Sequence, residues 1–327
     1  MNKITVIGAG NVGATCANVI AHKGLANEVI LVDIKEGLAE GKSLDMWQTA
    51  SINLYNTRVI GSTNDYLKTA GSEVVVITSG IPRKPGMSRD DLIKTNAVIV
   101  KEVTEKVMVY SPEAIIIVVS NPLDVMTYAA YRAAKTASNK VMGMAGILDA
   151  SRFKAFVAEA LDVSPLDVTT MILGSHGDTM VPLPRFTSVN GIPITDLLEP
   201  DVLAKIVTRT AKGGGEIVNL MGTSAWYAPG AAAAQMVEAI VNDEKRVFPV
   251  CALCSGEFGL KDVFVGVPVK LGKKGIEKII EMKLNEEEMK MLHNSAQAVK
   301  EQMEELDKMN LFEQYQNLTN ISSIALG

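Results

Sequence analysis

Three histidines, His22, His176 and His293, are the side chains best able to exchange a proton near neutral pH. His22 and His293 fall in helical patterns and read as surface or core-edge residues. His176 stands in Gly174-Ser175-His176-Gly177-Asp178, directly after the strand-like run Val168 to Leu173, and the flanking glycines permit close approach by a ligand. In Gly146-Ile147-Leu148-Asp149-Ala150-Ser151-Arg152, an aspartate and an arginine lie three residues apart at a helix start, hence on neighbouring faces. One can orient an imidazole while the other clamps a carboxylate. Two more arginines, Arg83 and Arg89, lie in a Pro/Gly-rich stretch just beyond the C-terminal end of a predicted parallel strand, the side where open α/β sheets bind ligands. Taken singly, His176 reads equally as a structural histidine and the arginine stretch as a solvated basic turn. Ser175 beside His176 does not make a hydrolase, because no G-x-S-x-G elbow surrounds it.

A second chemistry is written in Gly8-Ala9-Gly10-Asn11-Val12-Gly13, which follows a strand pattern and opens an amphipathic helix. In that context the glycines supply a tight turn, close approach of backbone to a pyrophosphate, and close helix-to-strand packing. The phosphates then meet free N–H groups at a helix N-terminus. Asp33, at the end of the next strand, can accept hydrogen bonds from an adenine ribose and would repel a 2′-phosphate, while Ile34 and Lys35 offer no arginine to reverse the preference. The cofactor expected is NAD.

These residues need a scaffold, and the chain provides a legible one. Short aliphatic runs at Ile4 to Ile7, Val29 to Val32, Val74 to Ile77, Ile115 to Val119 and Val141 to Met144 alternate with amphipathic stretches, the pattern of parallel strands covered on both faces. Ser88 and Asp91 form a capping-box signature before the helical stripe Leu92, Ile99, Val103 and Val107. After about residue 147 helices and strands mix, with turn signals at Pro182, Pro184, Asn190-Gly191 and Gly272. The fold class expected is therefore α/β: a Rossmann doubly wound parallel sheet over 1–146, followed by a mixed α+β substrate and catalytic domain over 147–327. Met289, Leu292, Ala296, Val299, Met303 and Leu306 mark the apolar face of a long helix docked on the core. Gly213-Gly214-Gly215 contradicts helix propensity, which suggests close packing near the pocket, and Ser224 is a weaker candidate for the same region.

A net charge of −5 lacks the basic excess that nucleic acid demands, and no apolar run approaches the roughly 20 residues that span a bilayer. Neither nucleic acid nor membrane is an expected partner. The sequence opens directly into a strand pattern, and its three cysteines, Cys16, Cys251 and Cys254, suit a reducing compartment; the expected location is the cytoplasm. Cys251-x-x-Cys254, in an apolar strand-like context without a second pair, reads as structural. No metal cluster is recognisable.

The glycine turn, Ser120-Asn121-Pro122-Leu123-Asp124, Gly146 to Arg152, Gly174 to Asp178 and Val265-Gly266-Val267-Pro268 agree in order and spacing with one family. Over essentially its whole length the chain resembles the malate dehydrogenases of the lactate-dehydrogenase-like group. The resemblance implies that His176 is the acid/base and that Asp149 holds its ring and stabilises the imidazolium. It implies that Arg152 grips the substrate carboxylate as a planar fork, and that Arg89, on a closing loop, polarises the carbonyl. It further implies that Asn121 hydrogen-bonds the substrate, with the Val119 backbone near nicotinamide and Asn96 contributing to the cofactor site. Arg83 stands where lactate dehydrogenases commonly carry glutamine; an enclosed arginine would be left unpaired by pyruvate and neutralised by the distal carboxylate of oxaloacetate. The implied substrate pair is malate and oxaloacetate, with lactate or another 2-hydroxy acid as the alternative and a non-catalytic NAD sensor as the alternative of a different class. Relatives suggest a homo-oligomer, dimer or tetramer.

Overall fold

The computed structural model describes residues 2–82 and 86–312. Its first half runs β1 (Lys3–Ile7), α1 (Asn11–His22), β2 (Glu28–Asp33), α2 (Leu38–Gln48), α3 (Ala50–Asn53), β3 (Arg58–Thr63), β4 (Val74–Ile77), α4 (Arg89–Tyr110), β5 (Ile115–Val118), α5 (Leu123–Ala134) and β6 (Val141–Gly143). All six strands are parallel, in the order β3-β2-β1-β4-β5-β6. The strands are apolar on both faces because both are covered. Val74, Val76 and Ile117 join one buried cluster, whereas their neighbours Val75, Ile77 and Ile116 point into another on the opposite side. The order reverses between β1 and β4, which opens a crevice at the C-terminal strand ends. The glycine turn, the segment from Thr78, the segment from Val119 and the start of the next helix all leave the sheet along that edge.

The second half continues with α6 (Gly146–Leu161), β7 (Val168–Thr169), β8 (Ile172–Leu173), β9 (Val181–Pro182), β10 (Ser188–Val189), β11 (Ile192–Pro193), α7 (Ile194–Leu197), α8 (Pro200–Met221), α9 (Tyr227–Val241), β12 (Arg246–Ser255), β13 (Lys261–Gly272), β14 (Gly275–Ile279) and α10 (Glu286–Lys308). The run Val168 to Leu173 is not one strand. It divides into β7 and β8, which belong to separate small sheets, β11-β10-β7 and β8-β9. The longer strands do something the sequence pattern did not announce: β12 joins the first sheet antiparallel to β6, with Cys251 opposite Gly143, and β13 and β14 follow, each antiparallel to the one before, so one nine-stranded sheet crosses the chain's midpoint.

Local signals hold the ends in place. Ser88 and Asp91 form the expected capping box at α4, and Asn285 with Glu288 forms another at α10, whose first turn carries Glu286, Glu287 and Glu288 against the positive end of the helix dipole. Leu292, Ala296, Val299, Met303 and Leu306 are buried as the spacing predicts, with Met289 half-buried, and α10 packs on β13 and α5. Among the described residues no helix is long and apolar enough to cross a membrane.

Candidate active site

The glycine turn leaves β1 with Gly8 at φ +104°, a left-handed conformation that a side chain would strain. A Cβ on Gly13 would stand 1.8 Å from the Gly8 carbonyl oxygen, so the helix can lie this close to the strand only without one. A Cβ on Gly10, by contrast, meets nothing within 4 Å, and no side chain caps α1. The leading N–H groups of α1, from Asn11 and Val12 onward, are thus open to an anion. Asp33 braces this turn: its Oδ2 accepts the Ala9 N–H at 2.7 Å and its Oδ1 the Lys35 N–H at 2.9 Å. Each oxygen retains a lone pair for a ribose hydroxyl. Lys42, which sequence reasoning did not single out, reaches from α2 to donate to the Ala9 carbonyl at 2.8 Å. These residues fit a dinucleotide by backbone shape and open donors.

Across the crevice, His176 is pinned through contacts distant in sequence. Gly174 exchanges two backbone hydrogen bonds with Gly266 of β13, at 2.9 and 3.0 Å. A Cβ on Gly266 would lie 2.4 Å from the Gly174 oxygen, which is why the pairing needs glycine there. The Ser175 N–H donates to Ser295 Oγ on α10 at 2.8 Å, and the His176 N–H donates to Asp124 Oδ2 on α5 at 3.0 Å. The ring is oriented by α6, where Asp149 Oδ2 lies 2.9 Å from His176 Nδ1. A carboxylate at Nδ1 makes that nitrogen the donor, leaving Nε2 as the acceptor that can take a proton from a ligand. The other oxygen of Asp149 receives Arg152 Nη1 at 3.1 Å.

Asp149 is 1 % exposed, the His176 side chain 20 % and the Arg152 side chain 13 %, so the carboxylate is sealed while its partners face outward. Burial by itself would lower the His176 pKa; the charge and hydrogen bond of Asp149, joined by the charge of Asp124, outweigh it and raise it above the usual 6.5. Arg152 Nε is buried without a partner. Gly213 and Gly214 of α8 lie beside this side chain, and a Cβ at 213 would come within 3.2 Å of Arg152 Cδ, which accounts for two of the three helical glycines by close packing. A Cβ at Gly215 meets nothing within 4 Å, but Gly215 lines the cavity.

That cavity, of about 370 Å³, brings together Val12, Val119, Asn121, Arg152 and His176, and Met144, Leu148, Met180, Val218 and Ser224 complete much of its wall. A larger hollow of about 650 Å³ beside Ser72, Tyr110 and Lys140 opens at the opposite, N-terminal ends of the strands, away from His176. Asn96 is buried and fully engaged: its amide donates to the Ile81 and Asn121 carbonyls at 3.1 and 2.7 Å, and its oxygen accepts the Ile81 N–H at 2.8 Å. It ties together the segments leaving β4 and β5 rather than turning its amide to the cavity. A cis peptide joins Asn121 to Pro122. Arg89 is the first residue of α4, exposed and outside the cavity lining. Arg83 lies outside the described residues. Sequence reasoning missed the supports Asp124, Gly266 and Ser295, although two of them sit inside stretches already singled out.

Comparisons with known proteins point to one family. Residues 2–143 match the family described as lactate/malate dehydrogenase, NAD binding domain, and residues 147–310 match lactate/malate dehydrogenase, alpha/beta C-terminal domain. A malate dehydrogenase of Cytophaga hutchinsonii is 63% identical over 305 residues, covering 93% of this chain and 98% of that one. The solved malate dehydrogenase of Salinibacter ruber superposes with a TM-score of 0.91 at 52% identity, covering 94% of this chain and 98% of its own. The lactate dehydrogenase of Cryptosporidium parvum, solved with lactic acid and nicotinamide adenine dinucleotide, gives a TM-score of 0.90 at 39% identity over 94% and 98% of the two chains. Backbone shape alone therefore does not separate the two activities.

Proposed function

This chain belongs to the lactate/malate dehydrogenase family, and from that premise we propose that it reversibly oxidises (S)-malate to oxaloacetate with NAD, using His176 as the acid/base. The observation that carries the chemistry is the chain of contacts from Arg152 through Asp149 to the His176 ring, at the wall of a cavity shared with the first turn of α1. NAD would be held along Gly8 to Gly13 and by Asp33, and would supply the hydride acceptor for the C2 hydrogen of malate. On the protein side, His176 Nε2 takes the hydroxyl proton of malate, and the imidazolium is stabilised by Asp149. Arg152 forks onto the adjacent carboxylate, Asn121 hydrogen-bonds the substrate, Arg89 closes over it, and the Val119 backbone would help hold the nicotinamide. Asn96 contributes by bracing the Ile81 and Asn121 backbones. In this reading residues 1–146 carry the cofactor and lend Arg83, Arg89 and Asn121 to the substrate, while 147–327 form the catalytic and substrate domain with His176, Asp149 and Arg152.

Malate is favoured over lactate by the names of the most similar relatives and by Arg83, whose charge only a second carboxylate would neutralise. Wild type should prefer oxaloacetate to pyruvate in kcat/KM by about a hundredfold or more, and Arg83→Gln should narrow that ratio by a similar factor. Turnover of NADH, followed by absorbance with each keto acid, reads both; a preference for pyruvate, or a ratio unmoved in the variant, would remove malate from the proposal.

We also infer a homo-oligomer in the cytoplasm. Exposed apolar side chains support assembly, among them Leu44, Ile52 and Leu54 on and just after α2 and α3, and Leu220, Met221 and Tyr227 at the α8–α9 junction. All three cysteines are free and buried, which suits a reducing compartment. Sedimentation velocity at micromolar concentration should give a dimer or tetramer; a monomer would count against it.

A further inference from the structure

We propose that the buried carboxylate of Asp124, hydrogen-bonded to the His176 backbone, is a positioning residue that holds the catalytic loop and steadies the His176 imidazolium. This rests on the reading of His176 as the proton carrier. Asp124 stands in the first turn of α5 and is 6% exposed. One oxygen accepts the His176 N–H; the other has no conventional hydrogen-bond partner, although the Cys251 thiol faces the carboxyl from β12. Among the described residues, no lysine or arginine pairs with it.

A sealed carboxylate with so few donors is costly to ionise, and an asparagine could accept the same backbone N–H. What an amide could not provide is negative charge beside the ring. The groups that face one another here are Asp124 from α5, Cys251 from β12, Asp149 and Arg152 from α6, and His176 on its loop. With His176 protonated, two carboxylates meet two cations and the enclosed charge is balanced; with His176 neutral, one negative charge is in excess. Burial pushes the Asp124 carboxyl up to about 6, even though the thiol and the His176 N–H draw it down. His176 is raised above its usual 6.5, with the Asp124 charge among the causes. The geometry also gives the first cysteine of Cys251-x-x-Cys254 a place, as a weak donor to that carboxyl.

The test is the pH dependence of kcat/KM for oxaloacetate in wild type and Asp124→Asn. Oxaloacetate needs protonated His176, so wild-type kcat/KM falls as pH rises through the His176 pKa. Removing the Asp124 charge lowers that midpoint by about one pH unit, which costs about tenfold in activity on the alkaline side and leaves the KM for NADH unchanged. If Asp124→Asn does not fold, Cys251→Ala serves as the second variant. The carboxyl then loses a donor and keeps its proton to higher pH, and the midpoint moves the same way by less. A midpoint unmoved in whichever variant folds overturns the role of Asp124 while leaving His176 in place. A wild type without a pH-dependent fall overturns the reading of His176 and this inference with it.

Discussion

The cofactor cradle and the catalytic loop are built by opposite means. Most of what shapes the cradle lies within the first βαβ unit: Gly8 and Gly13 press against each other across five residues, and Asp33 reaches the turn from the next strand, with Lys42 and Thr78 adding one hydrogen bond each from farther along. The His176 loop has almost no local support. Its holding groups come from Asp124, Asp149, Gly266 and Ser295, the nearest of them 27 residues away and the farthest 120. The phosphate turn is thus set mostly by its neighbours in sequence, whereas the position of the proton carrier is a property of the assembled molecule.

Substitutions should divide along the same line. The largest effect is expected of His176→Asn, which should lower kcat by roughly 10³-fold with little change in NADH binding by fluorescence titration. A loss of NADH affinity of the same size would mean that the two regions are not separable. Next come the two glycine contacts. Gly13→Ala should weaken NADH binding by at least tenfold, because the new Cβ displaces the turn itself. Gly266→Ala should cost about 1–3 kcal/mol of stability from overpacking and lower kcat while sparing the KM for NADH. Thermal melts beside steady-state kinetics distinguish them, and equal changes in both parameters for both variants would erase the contrast. The smallest effect belongs to Ser295→Ala, which strips one acceptor from the Ser175 N–H: about 1 kcal/mol, or roughly fivefold in kcat/KM, again without a change in NADH affinity.

Legibility in the sequence follows this division. The glycine turn, Asp33, the aliphatic strands and the capping box of α4 all declare themselves within a few residues, because backbone turns, strand burial and helix caps are local physics. β3 escaped notice because Arg58–Thr63 holds only two aliphatic residues, interrupted by Gly61. The pairing of Asp149 with Arg152 was readable from helix spacing, and their meeting with His176 was suggested by the family resemblance; no periodicity connects them. Asp124 and Gly266 were in view as parts of recurring strings, yet nothing in either string says that it touches residue 176 or 174. The extension of the first sheet by β12–β14 was hidden for the same reason, since an antiparallel strand announces its alternation and not its neighbour.

That extension has a mechanical consequence. Because β12 pairs with β6, the strand carrying Cys251 and, through β13, the glycine that pins the catalytic loop belong to the same hydrogen-bonded body as the strand that ends at Asp33. The two halves of the sequence cannot swing apart like jaws without breaking the Cys251–Gly143 pairing at which β12 meets β6. The expected opening to admit substrate is smaller than a domain and lies off the sheet. Native-state amide exchange would then show β1, β6, β12 and β13 released together in one global opening rather than half by half.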